Sequence, residues 1–446
     1  MMKYVPRVAP TALLPGCAGL LLLPLLLSLL PAWAVATEDA TPSLSTEAMP
    51  ALAPDQPLSL PAAEALLRQR SRSLALARTA VAAARAGIEQ AGARPNPVVS
   101  WTGQHLRPGR SAGTQALDQV VAFSDTWERG DKRALRLAQA DAAHGAAQAD
   151  AVDAGRQALL ALRQAWADLL LAEQREALRA RTAQTYEHSL AAAKKRVDAG
   201  DLAGADLARL RVDAERAFAD AGAAQADRRR AQIALASQLA LEPEAARLHT
   251  DGQWPVPPPP MMVDDIDQRL DARPDVRSAR LAVEVASKAY ALAEAQRHRD
   301  VTWSVLAERD RASGLGTTVG LGVAVPLLWG NDYSGDMHHA MADLTAAQQR
   351  LDMARAMARS DVQQAQSDLD AARALLARFE GGLTEAAQRA ADAAEFAYSH
   401  GALGVMDLLD ARRTLQTVQN DALAARDAVA NAAAALDAAL GAGLAP

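Results

Sequence analysis

The sequence predicts a mainly α-helical chain with a transmembrane β section, and three observations carry that prediction. The stretch 128–199 lacks proline and turn clusters and consists largely of Ala, Leu, Arg, Gln, Asp and Glu, mostly strong helix formers, and a second very long helix is expected over 333–399. A short section of period-two alternation interrupts the helical pattern in each half. The order of elements then recurs at an offset near 200 residues, so that Trp101 aligns with Trp303, Gly130 with Gly330 and Gly200 with Gly401.

The N-terminus reads as a targeting segment. Lys3 and Arg7 form a positive region, an apolar run covers 20–30, and Ala34-Val35-Ala36 fits a small-x-small cleavage site, so residues 1–36 are a signal peptide and Thr37 begins the mature chain. Cys17 is the only cysteine. Pro15 sits where a lipoprotein site needs a small side chain, and most of the apolar run follows the cysteine, which argues against acylation. A mature chain without thiols has no disulfide and no thiolate metal site. Cleavage removes two basic residues and no acidic one from a chain of net charge -6, leaving -8. That balance gives no support to nucleic-acid binding. No later segment approaches 18 consecutive apolar residues, so no helix of the mature chain is expected to span a bilayer.

Residues 37–59, rich in Pro, Ser, Thr and Ala, form a flexible lead-in. The first repeat, 60–253, opens with a helix to about Arg94, then strands over 98–106 and 115–123 around the turn-rich 107–113. A helix over 128–199 follows, on the order of 105 Å long at 1.5 Å per residue, too long for a compact globule. Gly200-Asp201 reverses the chain into a helix over 203–241, which Glu242-Pro243 ends. A Pro-rich connector, 254–262, leads to the second repeat, 263–441. This has a helix to about Arg297, strands over 300–308 and 317–325, a helix over 333–399, a reversal at Gly401 and a helix over 404–440, with 442–446 as a tail.

The strands alternate apolar with polar or small residues: Trp303 and Val305 against Thr302 and Ser304, Val319 and Leu321 against Thr318 and Gly320. Lipid on one face and a lumen on the other require this period. Trp101, Trp127, Trp303 and Trp329 lie in or beside the strands, where amphipathic rings suit the headgroup level. Two soluble hairpins packed on something else would alternate as well. In lipid, four strands cannot close a barrel and open edges are not tolerated, so several chains would have to contribute. Three would give twelve strands and twelve helical columns, though the count alone does not choose three.

The order of elements resembles the outer-membrane efflux protein family, the TolC family, over nearly the whole mature chain. Its signals are Arg94-Pro95-Asn96-Pro97 before the first strand, Pro326 and Gly330 after the last, and an aromatic, a glycine and Asp-Leu-Leu-Asp-Ala in Phe396 to Ala411; the first-half counterpart, Tyr186, Gly200-Asp201 and Asp206-Leu207, is looser. Glu128-Arg129-Gly130-Asp131-Lys132-Arg133 resembles a segment of the heavy-metal cation efflux subgroup, with Asp131 replacing a second glycine. The resemblance implies a homotrimer whose 12-stranded β-barrel joins a 12-helix α-barrel. This would be a passive duct in the outer membrane, in contact with its lipid, coupled through a periplasmic membrane-fusion adaptor to an inner-membrane RND pump. It brings no cofactor and no reaction.

Asp407 and Asp410 are three apart on a helix and share a face beside the Gly401 turn. An ordinary solvated acidic face would look the same. By resemblance they match aspartates lining the periplasmic entrance, where a threefold assembly would stack them as two carboxylate rings that attract cations. A basic residue often stands four before the first aspartate in that family, but here Leu403 occupies it, so any gating ion pair must be made differently or be absent. The helix-turn tips, Val197, Asp198, Gly200 and Asp201, and His400, Gly401, Ala402 and Leu403, reverse the chain and, by resemblance, face the adaptor. None of the eight histidines falls in a metal-ligand spacing, and no GxSxG, P-loop or Rossmann pattern occurs, so no catalytic, metal or cofactor residue is assigned. A drug or type I secretion duct remains open within this architecture, and a pore-less periplasmic coiled-coil scaffold outside it.

Overall fold

The computed structural model describes residues 57–104, 118–256, 266–310 and 316–443. The predicted signal peptide with Cys17, nearly all of the 37–59 lead-in, the 107–113 loop, most of the connector and the end of the tail lie outside the described residues.

Helix α1 (Leu60–Arg70) starts at Ser59, whose hydroxyl accepts the Ala62 N–H at 3.4 Å. The single helix expected to run on to 94 is broken. Ser71 is extended (ψ 124°), with its hydroxyl 2.8 Å from that of Ser73, and α2 runs Arg72–Gly92. The second repeat breaks at the matching place, between α5 (Ile266–Ala272) and α6 (Pro274–Ala295). There the cause is steric, because a residue before proline is pushed out of the helical region, and Arg273 takes ψ 138°.

Strands β1 (Val98–Gln104), β2 (Asp118–Trp127), β3 (Val301–Asp310) and β4 (Gly316–Ala324) form one antiparallel sheet in chain order, leaving β1 and β4 as its edges. The first hairpin differs from its expected bounds, since β2 continues past 123 to Trp127. Pairing with β3, including Thr126 Oγ1 2.9 Å from Thr302 Oγ1, holds the polar run Ser124-Asp125-Thr126 in the ladder. The register lines up Val99, Phe123, Val305 and Leu321 in one row, and Trp101, Val121, Ala307 and Val319 two rows above. The intervening rows bring Ser100, Ala122, Leu306 and Gly320 together on the opposite face. That face needs its small residues: a Cβ on Gly322 would fall 2.5 Å from Ser304 Oγ.

Below the sheet, α3 (Lys132–Asp198) is one helix of 67 residues, roughly 100 Å long. It is followed by α4 (Gly204–Leu239) and a 3₁₀ turn, Glu242–Arg247. The counterpart of α3 is not continuous, contrary to the expected helix over 333–399. It divides into α7 (Ser334–Arg378), a π turn at Phe379–Leu383 and α8 (Thr384–Ser399). The adjacent glycines Gly381 and Gly382 account for the break: each disfavours a helix by about 1 kcal/mol relative to alanine, and Gly382 adopts φ +119°. The last helix is α9 (Val405–Ala439).

The helices stand in four columns: α2 with α4, then α3, then α6 with α9, then α7 with α8. Alanines fill the seams, among them Ala193, Ala214 and Ala217 in one cluster and Ala358, Ala365 and Ala433 in another. Small side chains allow helix backbones this approach. Midway along α3, Trp166 is buried and donates its indole N–H to the Leu58 carbonyl at 3.1 Å, so Leu58, at the end of the 37–59 segment read as flexible, is packed against the helices. Two arginines, one from each repeat, close the end of α9. Arg156 donates to the Ala438 carbonyl at 3.2 Å, and buried Arg273 donates to that of Ala439 at 3.1 Å and to Asp275 and Asp361 at 2.6 and 3.0 Å.

Candidate functional site

Both helix reversals lie at one end of the columns and are built alike. Asp201 N–H donates to the Arg196 carbonyl and Ala402 N–H to that of Ala397, each at 2.8 Å, and these six-residue closures need a left-handed residue just before their donors. Gly200 (φ +80°) and Gly401 (φ +74°) supply it. The named tip residues Val197, Asp198, Gly200 and Asp201 thus form one turn, and His400, Gly401, Ala402 and Leu403 the other. His400 stacks on Phe396 with ring centroids 4.2 Å apart.

Asp407 and Asp410 are both exposed, whereas Val405, Leu408 and Leu409 between and before them are buried. The pair therefore occupies the open face of α9, one to two turns from the reversal. Behind it Val405 and Leu409 join a core with Ala183, Tyr186 and Ala193 of α3 and Leu210, Ala214 and Ala217 of α4. The second repeat is seated on the first at this level.

Polar groups surround that core, and sequence reasoning missed most of them. Leu403 carries no charge, but two basic residues stand just after Asp410. Arg412, its side chain 9% exposed, donates to Ser189 Oγ at 2.8 Å, pairs with Glu395 at 3.0 Å and lies 5.8 Å from the Tyr186 ring centre. Arg413 Nη2 reaches both carboxylate oxygens of Asp213, at 2.7 and 2.8 Å. The Asp213 hydrogen bond holds the Arg413 guanidinium above its ordinary pKa. Burial, then the nearby Asp213 charge, push the Tyr186 phenol up. Arg196 lies 5.1 Å from the ring centre of Tyr398. Arg412 and Arg413 thus bond to α3 and α4, and no local pattern marks a partner some 200 residues away.

Higher on α9, Asp427 has one oxygen buried without a hydrogen-bond partner. Burial and the neighbouring Asp168 raise its pKa to about 6. Among the described residues no cluster of three or more His, Cys, Asp or Glu could hold a metal ion.

At the other end, the four tryptophans are exposed on or beside the sheet. Trp101 marks the upper margin of its apolar face and Trp127, 70% exposed, the lower, roughly 20 Å apart at six residues' rise. Trp329, 92% exposed, follows β4, whereas Trp303 stands inside the band, 5.6 Å from the Phe123 ring centre.

Residues 266–442 match the family model described as outer membrane efflux protein. The chain is 26% identical to the cobalt-zinc-cadmium resistance protein CzcC of Cupriavidus metallidurans over 362 residues, 80% of this chain and 84% of that one. Its fold is similar to that of the outer-membrane channel OprN, with TM-score 0.72 at 22% identity over 86% of this chain and 90% of the other. CusC, solved in studies of its folding and transmembrane channel formation, gives TM-score 0.69 at 18% identity over 86% and 92%.

Proposed function

We propose that the chain is a member of the outer membrane efflux protein family, whose model matches residues 266–442, and that three copies form a passive exit duct for heavy-metal cations, with the strands in the outer membrane and the helices in the periplasm. The observation that supports a closed assembly is the sheet itself: four strands with an exposed apolar face and two unpaired edges. In hydrocarbon an unpaired strand edge is untenable, and pairing β4 of one copy with β1 of the next removes every edge. Three copies give twelve strands, with Trp101, Trp127 and Trp329 at the lipid boundaries.

In this reading the hairpin tips meet a periplasmic adaptor that couples the duct to an inner-membrane RND pump. Asp407 and Asp410 ring the periplasmic entrance and favour cations there. The choice of metal over drug cargo draws on the similarity to CzcC and on the Glu128–Arg133 segment.

Growth and metal accumulation of a strain lacking this chain test the cargo, across zinc, cobalt, cadmium, nickel, copper and silver. Sensitivity to a subset with raised cell-associated metal is expected. An unchanged metal response with new sensitivity to organic compounds would move the duct to the multidrug branch. Engineered cysteines at Asp201 and Ala402 should crosslink to the adaptor; no crosslink at either tip would remove the adaptor role.

A further inference from the structure

The loop joining β2 to α3 is held rigidly. The Arg129 backbone N–H and Lys132 Nζ both donate to Asp300 Oδ1 at 2.9 Å. Arg136 forks onto both oxygens of Glu128 at 2.6 and 2.9 Å. Gly130, at φ +74°, lies so close to His298 that a Cβ would fall 2.6 Å away. These contacts occupy the charges of Lys132, Asp300, Glu128 and Arg136. The side chains of Arg129 and Arg133 remain exposed, Arg133 donating its Nε to the Gly92 carbonyl at 2.6 Å. Together with Trp127 they line a groove of ≈ 460 Å³ at the lower margin of the apolar band, where Asp131 is the one further exposed charge.

The duplicated half supplies an internal comparison. At the matching joint the chain reads Gly330-Asn331-Asp332-Tyr333-Ser334-Gly335, and Tyr333 precedes α7 with φ +61° just as Asp131 precedes α3 with φ +55°. That joint keeps its tryptophan, Trp329, and forms without any basic residue. Arg129 and Arg133 are therefore not needed to turn a strand into a helix at this place. β2 is also an inner strand, so a copy pairing at either sheet edge does not pair with it.

We propose that this notch binds the phosphate of an anionic glycerophospholipid in the periplasmic leaflet, one site per chain. The assignment rests on the outer-membrane reading above. Guanidinium groups suit phosphate oxygens, an exposed tryptophan beside them suits the headgroup level, and the contacts to Asp300 and Gly92 hold the Arg129 main chain and the Arg133 Nε in place at the notch.

The test uses the full-length mature protein in vesicles carrying brominated phosphatidylglycerol or brominated phosphatidylcholine, with tryptophan quenching as the readout. Wild type should prefer phosphatidylglycerol at low ionic strength, and R129Q and R133Q should each lower the preference about fivefold. The R129K/R133K variant should keep most of it, and W127F should lose the quenching specific to phosphatidylglycerol while Trp101 is still quenched by either lipid. An unchanged preference in R129Q/R133Q would overturn the site. Binding of inorganic phosphate to the detergent-solubilised protein that R129Q/R133Q abolishes, together with equal quenching by both lipids, would assign the notch to a free anion and overturn the lipid assignment. Absence of quenching by either lipid would overturn the membrane reading and this one with it, whereas equal quenching by both would overturn this one alone.

Discussion

Arg413 reaches both carboxylate oxygens of Asp213, joining the last helix of the chain to the returning helix of the first repeat. Asp213 is nearly enclosed, its side chain 7% exposed, while Arg413 is half exposed. The two residues therefore stand to lose unequally when the contact breaks.

Arg413→Ala should destabilise the helical section by about 2 kcal/mol, because it leaves a buried carboxylate unpaired. Asp213→Ala should cost less, because the Arg413 it leaves behind is half exposed, and the double variant Asp213→Ala with Arg413→Ala should cost less than the sum of its singles. Thermal unfolding of the four proteins measures the coupling. Conductance in planar bilayers should rise in Arg413→Ala if this contact also holds the entrance narrow, and an unaltered conductance would confine the pair to stability.

Neutralising Asp407 and Asp410 to asparagine should reduce cation selectivity and block by divalent ions. Both residues are exposed at the open face of α9, so stability should hardly move. Reversal-potential measurements in asymmetric salt give the answer, and an unchanged ion profile would remove these residues from the conduction path.

Asp427, with a pKa of about 6, lies above the ordinary aspartate value because burial and Asp168 disfavour its charge. The folded state thus holds this proton more tightly than the unfolded one. The resulting stability is full below about pH 4 and is lost as pH rises through 6. Asp427→Asn should flatten that fall and stabilise the protein at pH 7.5 by about 1 kcal/mol, a figure reduced for the solvent screening of a partly exposed group. Unfolding profiles at pH 4 and 7.5 provide the check.

Gly381 and Gly382 should respond in opposite senses to alanine. Gly382, at φ +119°, has open space where a Cβ would stand, so Gly382→Ala is opposed by backbone strain alone, about 1–2 kcal/mol. Gly381→Ala also meets no neighbour and should be neutral or slightly stabilising. Melting temperatures of the two variants distinguish them.

The reversals and the sheet were legible for local reasons. A helix that must close on itself asks for a glycine, and Gly200 and Gly401 stand in those places. Trp303 and Val305 alternate with Thr302 and Ser304, and that period is a property of the strand alone. What escaped depended on distant partners or competing local signals. Ser124-Asp125-Thr126 looks like a strand's end until Thr302 is set beside Thr126. Ser71, Pro274 and Gly381-Gly382 break helices whose flanks are otherwise strong. Arg412 and Arg413 resemble any other arginines on a polar helix, since Ser189 and Asp213 become their partners only when the two repeats are packed together.

The bare edges at β1 and β4 bear on how the protein reaches its membrane. A lone copy would expose two rows of backbone donors and acceptors to hydrocarbon, each unsatisfied group costing several kcal/mol. If several copies close the barrel as proposed, insertion and assembly become a single collective step, and its rate should climb more steeply than in proportion to the number of copies delivered to the periplasm.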